Sequence, residues 1–359
     1  MTEVNRETNR AWLERVKLVR ELVSWVGKNL NEIPVKRWMK QRDVEQLRES
    51  KAAQYVYGYL CLGKMLFPED NADPLFTDPK IRVYSDYQMF TQLKPGMYHK
   101  FVEEVSERFH SVQMGKYVEY ATWHRVTNGL PRNCMTILAR LQDELCDRHG
   151  FSRATLGKSQ DDFVSQNMIG LVLRGQCIGA FDNNLHGSVK AGWQDIVSRV
   201  GEFTECFASP FNHKFDTYYS MFEEDRAFGS LGNFFTMVQR NRGVLPPGNY
   251  QMNPVFTNAV FERVADILKA SIENGHDLFC IVVTANWTDA PFYGQLKSLM
   301  EHDAYTEHSV AASKNVQFVH DMRQSRGERD AAFSFTTDTA YWIFSTRKLP
   351  DGLVDELFR

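Results

Sequence analysis

The sequence has no cysteine pair at the spacing of a metal site or a redox motif. None of its six cysteines has a histidine partner at zinc-ligand spacing. They are scattered along the chain at Cys61, Cys134, Cys146, Cys177, Cys206 and Cys280. This pattern argues against a metal centre and against a disulfide framework, so we expect reduced cysteines inside a cell.

Long hydrophobic runs and a large net charge are also missing. No apolar stretch approaches the ~20 residues of a membrane-spanning helix, and the N-terminus is charged from Glu3 onward, unlike a secretory signal. The 42 basic residues nearly balance the 45 acidic ones. Charge alone would therefore not hold this protein along a nucleic acid, and we expect a soluble protein with no membrane contact and only local nucleic-acid contacts.

The spacing of apolar residues along the sequence changes near Gly150. Before it, apolar residues recur every three or four positions, for example in residues 8–27 and 43–66, which predicts helices. After it, short apolar runs alternate with helical segments, which predicts a mostly parallel sheet covered on both faces. We therefore predict a helical domain over residues 1–155 and an α/β domain over residues 156–359.

Six short apolar runs are the predicted strands after the helical region. They are residues 168–173, 203–208, 249–252, 277–285, 331–335 and 340–346. The last two flank a Thr-Thr-Asp-Thr turn, which predicts an antiparallel hairpin at the sheet edge. Residues 215–222 and 260–272 show helical spacing, and we interpret the aromatic repeat from Phe207 to Phe222 as a buried helix stripe. This pattern resembles the Rossmann-like core of class I methyltransferases, in which ligands bind beyond the carboxyl ends of the strands.

The usual glycine-rich cofactor loop is absent. Residues 204–212 read as a strand, a sharp turn and a helix, and the small residues Ala208, Ser209 and Pro210 would let a nucleoside cofactor approach the backbone. An alternative is that Ser209 and Pro210 only begin the next helix. Residues 228–232 are a second candidate loop, although a plain glycine-rich connection explains them equally well.

The segment Asn253-Pro254-Val255-Phe256 carries the clearest chemical signal. An amino group conjugated to a purine is a poor nucleophile, so a site must hold it with two acceptors, here an Asn oxygen and a Pro carbonyl, while an aromatic ring stacks on the base. The alternative is a turn begun by Asn and Pro, with Phe256 in the core. Its place between a predicted strand and a helix favours the functional interpretation. Trp287, after the next strand, would wall the same pocket.

Together and in this order, these segments resemble the phosphorylated-CTD-interacting, cap-specific adenosine N6-methyltransferases. The resemblance covers roughly residues 165–346, about half of the chain. It rests on residues 173–179, 205–212, 228–232, 253–256, the Trp287 loop and residues 339–344. Glu-Cys-Phe-Ala-Ser-Pro-x-Asn followed by Asn-Pro-x-Phe is far more specific than either part.

The resemblance implies methyl transfer from S-adenosylmethionine to N6 of the first transcribed adenosine beside the 7-methylguanosine cap of mRNA, in the nucleus rather than the cytoplasm. It implies that Asn253, Pro254 and Phe256 hold the adenine and are the catalytic residues. The cofactor-binding residues that it implies are Phe207, Ala208, Ser209, Pro210, Asn212, Phe228, Gly229 and Ser230. No metal is required, because positioning and desolvation lower the barrier.

Binding of the capped 5′ end requires an aromatic pocket for the charged methylguanine and basic residues for the triphosphate. The substrate-binding candidates are Arg174, Trp287, Arg323 and Arg326, with Tyr117, Trp123 and Arg125 as further ones. Arg323 and Arg326 belong to a basic cluster that also contains Lys314 and Arg329.

Two features depart from the family pattern. Trp25 and Trp38 are thirteen residues apart, with no proline closely following Trp38. We therefore expect no WW module and no direct binding to the phosphorylated polymerase tail. Val255 stands where the family usually has a second proline. The acceptors of Asn253 and Pro254 survive this change, while a fixed φ is lost and an N–H is gained. We expect an active enzyme with altered turnover or methyl count.

Two other functions stay open from the sequence. One is an enzyme of the same fold that methylates an internal adenine of RNA or DNA. The other is a catalytically silent RNA-binding or scaffold subunit, in which Val255 marks lost activity.

Overall fold

The computed structural model describes residues 2–31, 40–66, 93–97, 100–101, 103–105, 107, 121–130, 132–181, 187–189, 193–304, 307–313, 318–319, 332–333 and 338–353. The chain divides into two compact units, Met1–Leu185 and His186–Arg359.

The first unit is built from helices wherever the structure describes it. They are α1 (Thr2–Asn29), α2 (Gln41–Leu66), α3 (Trp123–Thr127), α4 (Arg132–Arg148) and α5 (Lys158–Cys177), with a 3-10 turn at Arg153–Thr155. Helix α1 packs against α2 and α5. Its Asn9 Nδ2 donates to the carbonyl oxygen of Gln166 in α5 at 2.9 Å and to Oε1 of the same residue at 3.0 Å.

The apolar run 168–173, predicted as a strand, is the middle of helix α5, so that prediction is wrong. Every residue of this run is buried. A helix buried on all sides carries the same continuous apolar run as a strand buried on both faces. Because α5 packs on α1, the first compact unit extends beyond the domain boundary predicted at residues 155/156.

The second unit contains two sheets and four described helices. The strands are β1 (Ser188–Val189), β2 (Thr204–Ala208), β3 (Thr217–Ser220), β4 (Gly248–Met252), β5 (Leu278–Ala285), β6 (Glu307–Ser313), β7 (Phe318–Val319), β8 (Ala332–Phe333) and β9 (Thr339–Ser345). The helices are α6 (Trp193–Val200), α7 (Phe234–Arg240), α8 (Asn258–Glu273) and α9 (Pro291–Leu299), and a 3-10 helix spans Glu223–Phe228. The large sheet has the order β3-β2-β4-β5-β9-β6, and the small one β1-β7-β8.

The predicted α/β class with a mostly parallel sheet is confirmed, and the topology is compatible with a Rossmann-like fold. In the large sheet β9 runs opposite to the other five strands, and its neighbours are β5 and β6. The predicted hairpin at the sheet edge is wrong, because β8 pairs with β7 and β9 lies inside the large sheet. All seven residues of β9 are buried, and a strand covered on both faces suits an interior position.

The helix predicted at residues 215–222 is also wrong, because its centre is strand β3. Tyr218 and Tyr219 are consecutive and both buried, so the strand is covered on both faces. Burial on both faces places aromatic residues at neighbouring positions, which imitated the spacing of a helix. The predicted strands at 203–208, 249–252 and 277–285 and the helix at 260–272 are present as β2, β4, β5 and α8.

One face of the large sheet holds the core that supports the site. There, Ile281 of β5 and Ile343 of β9 pack in one apolar cluster with Ile196 of α6 and with Phe203. Phe256 joins this cluster from its edge. Among the described helices, none is long and apolar enough to cross a membrane.

Candidate active site

The site lies where the strand order of the large sheet changes direction. After β2 the chain adds β3 on one side, and then returns to add β4 on the other side. All three strands are parallel, so their carboxyl ends lie at the same edge of the sheet. In open α/β sheets, ligands bind in the crevice at such a switch point. Ser209 follows β2 and Asn253 follows β4, so the two segments singled out by the sequence flank this crevice.

Asn253 is held by one end of its side-chain amide. Its Nδ2 donates to the carbonyl oxygen of Gly187 at 3.1 Å. Because a carbonyl oxygen only accepts hydrogen bonds, this contact identifies which end of the amide is the nitrogen. No described residue donates to the Oδ1 of Asn253, and the residue is only partly buried. The fixed amide therefore offers a free acceptor.

The next peptide unit supplies a second acceptor. No described residue donates to the carbonyl oxygen of Pro254, and none accepts from the N–H of Val255. Since no described peptide bond is cis, this C=O and this N–H point in opposite directions. The N–H gained at Val255 thus lies on the far side of the peptide from the Pro254 acceptor.

Phe256 is half-buried and has aromatic neighbours on two elements. Its ring centroid lies 5.6 Å from that of Phe261 in α8 and 6.3 Å from that of Phe318 in β7. The core contact expected of a simple turn is therefore present, while part of the ring stays exposed. Helix α8 begins at Asn258, and the side chain of the preceding Thr257 makes no capping hydrogen bond. Stacking of Phe256 on a base stays a prediction.

Strand β2 is irregular at the end that meets the crevice. Its register with β3 shifts between Glu205 and Ala208, as in a β-bulge. Bulges bend a strand and re-aim its side chains, and they are common next to active sites. The ring of Phe207 packs on Phe234 at 5.0 Å and on Phe235 at 5.6 Å, and Phe207 and Ala208 are partly exposed.

The turn after β2 is held by its own side chains. The Oδ1 of Asn212 accepts from the backbone N–H and from the hydroxyl of Ser209, each at 2.9 Å. The Ser209 hydroxyl oxygen also accepts from the N–H of Phe211 at 3.3 Å. Ser209, Pro210 and Asn212 are buried. These contacts fix the turn, whereas direct cofactor binding by these residues stays a prediction.

The second predicted loop lies beside β3 and is tied to it. The hydroxyl of Tyr218 donates to the carbonyl of Phe228 at 3.0 Å, and the Leu231 N–H donates to the carbonyl of Tyr218 at 2.9 Å. Gly229 has a φ of 96°, which favours glycine. The Ser230 hydroxyl oxygen accepts from the Gly232 N–H at 3.0 Å. The structure therefore brings both predicted cofactor loops to adjacent strand ends.

Glu205 is a buried carboxyl that the sequence did not mark as a site residue. It accepts from the N–H of Lys214 at 2.7 Å, and only 4% of its surface is exposed. Burial raises its pKa to about 7, although the Lys214 N–H and charge and the Phe215 N–H act to lower it. The signal in the sequence that could have marked Glu205 is its position as an acidic residue within an apolar strand.

The loop after β5 adjoins α8. The N–H of Asn286 donates to the carbonyl of Asp338 at 2.8 Å, which anchors the loop. The ring of Trp287 lies 6.3 Å from Phe261 and 6.2 Å from Phe292, both at 68°. Trp287 is thus next to the first turn of α8, as expected for a loop beside Asn253. Its contact with a base stays a prediction.

The other substrate candidates lie in the first unit or outside the described residues, and their role stays a prediction. Arg174 is buried in α5 of the first unit, and Trp123 and Arg125 belong to α3 of that unit. The remaining candidates lie outside the described residues; they are Tyr117, Arg323 and Arg326, together with Lys314 and Arg329 of the same basic cluster. In the described part of the chain, no group of three or more His, Cys, Asp or Glu residues is arranged to hold a metal. All six cysteines are buried and unbridged.

A protein-family model described as the phosphorylated CTD interacting factor 1 WW domain matches residues 151–321. This match confirms the predicted resemblance to the phosphorylated-CTD-interacting factors, and it includes β2, β4 and β5 with the segments after each of these strands. Trp25 lies within α1 and Trp38 outside the described residues, so the expected lack of a WW module there stays a prediction. No curated protein matches the chain.

Proposed function

We propose that this relative of the phosphorylated CTD interacting factor 1 is an S-adenosylmethionine-dependent methyltransferase that modifies N6 of the first transcribed adenosine beside the mRNA cap. The family resemblance supports the substrate and a nuclear location. The position of two motif segments at one switch point supports the site.

One observation carries the proposal: the amide of Asn253 is fixed by Gly187, and no described residue donates to its oxygen. An exocyclic amino group has two hydrogens and needs two acceptors. Asn253 Oδ1 and the Pro254 carbonyl are free acceptors on consecutive residues at the predicted binding edge. A segment that only had to build a turn would give no reason for two unused acceptors, since buried or half-buried amides normally use both ends.

The residues around β2 fit a nucleoside cofactor. Ala208 is small and partly exposed, and the register of β2 shifts just before it, at the strand end that meets the crevice. Bound S-adenosylmethionine would supply an electrophilic methyl group for transfer from its sulfur to N6, with the surplus proton released to water. Asn253 and Pro254 would hold the amine on the line of this displacement, and Phe256 would limit rotation of the base. Exclusion of water by the surrounding loops completes the role of the protein.

Val255 is compatible with activity. The replaced proline ring would attach to the nitrogen, which points away from the Pro254 carbonyl across a trans peptide. Neither acceptor depends on that ring. We therefore expect Val255 to change the stiffness of the segment more than its chemistry.

The test is mass spectrometry of RNA incubated with the protein and S-adenosylmethionine. We expect one or two methyl groups on N6 of the first adenosine of capped RNA, and little transfer to the same RNA without a cap. Equal transfer to both RNAs would favour an internal-adenine methyltransferase instead. If calorimetry detects no S-adenosylmethionine binding, the protein is the catalytically silent scaffold considered from the sequence, and the proposal is wrong.

A further inference from the structure

Gln251 is a buried amide close in sequence to the proposed amine site, and its side-chain oxygen has no hydrogen-bond donor among the described residues. It lies on β4, two residues before Asn253, which directly follows the strand. Only 3% of its surface is exposed. Its Oε1 is fully covered and receives no hydrogen bond from any described residue. Buried acceptors of this kind need a donor, or they cost stability.

The neighbours of Gln251 on β4 and β5 do not provide that donor. On β5 the registered neighbour is Ile281, which is apolar. The amide of Asn249 on β4 donates to Val200 and Glu202, and the amide of Asn253, just after the strand, donates to Gly187.

The helix packed on this face is apolar where it meets the sheet. Helix α6 presents Ile196, Val197 and Val200 to the core cluster. The registered neighbour on β2 is Glu205, the one carboxyl among these groups. Adjacent strands lie ~4.8 Å apart, so a Glu and a Gln in register on one face are within hydrogen-bonding reach of each other.

We propose that Gln251 is a positioning residue, held by a hydrogen bond that the carboxyl O–H of Glu205 donates to its Oε1. The inference rests on the proposed function for its catalytic consequence. Glu205 already accepts the Lys214 N–H from the turn after β2. The bond to Gln251 would join that turn to β4 two residues before Asn253. The buried pair of Glu205 and Gln251 would thus fix the position of the turn after β2 relative to the acceptor of Asn253.

The surroundings of Glu205 favour the protonated form that this bond requires. Its registered neighbour on β3 is Tyr218, whose hydroxyl donates to Phe228, and His213 stacks on the Tyr218 ring at 4.2 Å. Lys214 is exposed, and the next residue on β2 is the buried thiol of Cys206. Burial outweighs these groups and raises the Glu205 pKa to about 7.

The activity test compares Glu205→Gln with the wild type from pH 5.5 to pH 8.5. The wild-type kcat should fall as the pH rises through about 7, because ionised Glu205 no longer donates to Gln251. Glu205→Gln should lack this fall, because its amide donates at every pH. Gln251→Leu should lower kcat about tenfold with less than a threefold change in KM. Gln295→Leu, at an exposed position of α9, is the matched control and should match the wild type. Equal pH profiles for the wild type and Glu205→Gln would overturn the positioning role.

Thermal unfolding over the same pH range tests the hydrogen bond between Glu205 and Gln251 independently of the proposed function. A buried carboxyl with a raised pKa stabilises the fold fully below pH 4.5, and this contribution is lost as the pH rises through about 7. The unfolding temperature of the wild type should therefore fall relative to that of Glu205→Gln as the pH rises. The Gln251→Leu substitution should change the size of this pH-dependent loss. Parallel curves for all three proteins would overturn the pair. If these curves behave as expected but no RNA is methylated, the pair stands and the proposed function fails.

Discussion

Two asparagines at the opposite ends of β4 contrast the two edges of the large sheet: Asn249 lies near the start of the strand, and Asn253 directly follows its last residue. At the amino edge, Asn249 Nδ2 donates to the carbonyls of Val200 and Glu202 at 3.0 and 3.1 Å, and its Oδ1 accepts from Arg347. At the carboxyl edge, Asn253 makes one hydrogen bond among the described residues and keeps its oxygen free. The asparagine that joins segments uses both ends of its amide in hydrogen bonds, whereas the asparagine where a ligand is expected uses only the nitrogen.

The amino edge is closed around further polar contacts. Arg347 also lies 3.6 Å from the Asp277 carboxylate, and the Thr346 hydroxyl donates to that carboxylate at 3.1 Å. These groups join the end of β9 to the start of β5. The difference between the edges separates residues that stabilise the fold from residues available for chemistry, and it is seen for one residue type at the two ends of one strand.

The largest expected effect is that of Asn253→Ala at the open edge. It removes the free acceptor and should lower methyl transfer by about 100-fold to 1,000-fold, as loss of one preorganised polar group does in other active sites. The unfolding free energy should change by less than ~1 kcal/mol, since one partly exposed hydrogen bond is lost. Rates from product mass spectrometry and chemical denaturation check both. Transfer at the wild-type rate would refute the role given to Asn253.

Asn249→Ala should behave in the opposite way. It leaves two carbonyls without their donor and removes one of the two partners of Arg347, so the unfolding free energy should fall by about 1–3 kcal/mol. Transfer by the folded fraction should stay within about twofold, because the residue lies at the other end of β4. Urea denaturation with circular dichroism, beside single-turnover rates, distinguishes the two asparagines. A loss of transfer larger than that of Asn253→Ala would erase the contrast between the edges.

Val255→Pro should have the smallest effect. It restores a second proline and removes an N–H that no described residue uses. Transfer should change by no more than about threefold, because the Pro254 carbonyl keeps its direction across a trans peptide. Steady-state rates on capped RNA measure this. A complete loss of transfer would show that the Val255 N–H has a function in the open edge.

The sequence predicted the parts of the fold in which one pattern dominates. Strand β5 is apolar except for Thr284 and α8 has a clear helical period, and both are present. The failures were α5, β3 and the position of β9, all of which are buried on more than one side. Burial all round removes the polar positions whose spacing distinguishes a helix from a strand.

Only those parts of the site that lie within one short segment of the chain could be predicted from the sequence. Asn253 and Pro254 were marked by their own residue types and by the helix that begins shortly after them. The contact between Asn253 and Gly187 joins residues 66 positions apart, and no local pattern announces it. Glu205 and Gln251 become partners only through the register of two strands. Long-range pairing therefore determined the part of the site that the sequence left out.

The interior position of β9 affects the order in which the second unit can be completed during synthesis. Strand β5 gains its second neighbour only when β9 arrives, and β6 has no other neighbour in the large sheet. At ~5–20 residues per second, a ribosome adds the stretch between the end of β5 and the end of β9 in roughly 3–12 s. For that interval the growing chain carries an apolar strand with an open side, the kind of surface that chaperones cover and that neighbouring chains join.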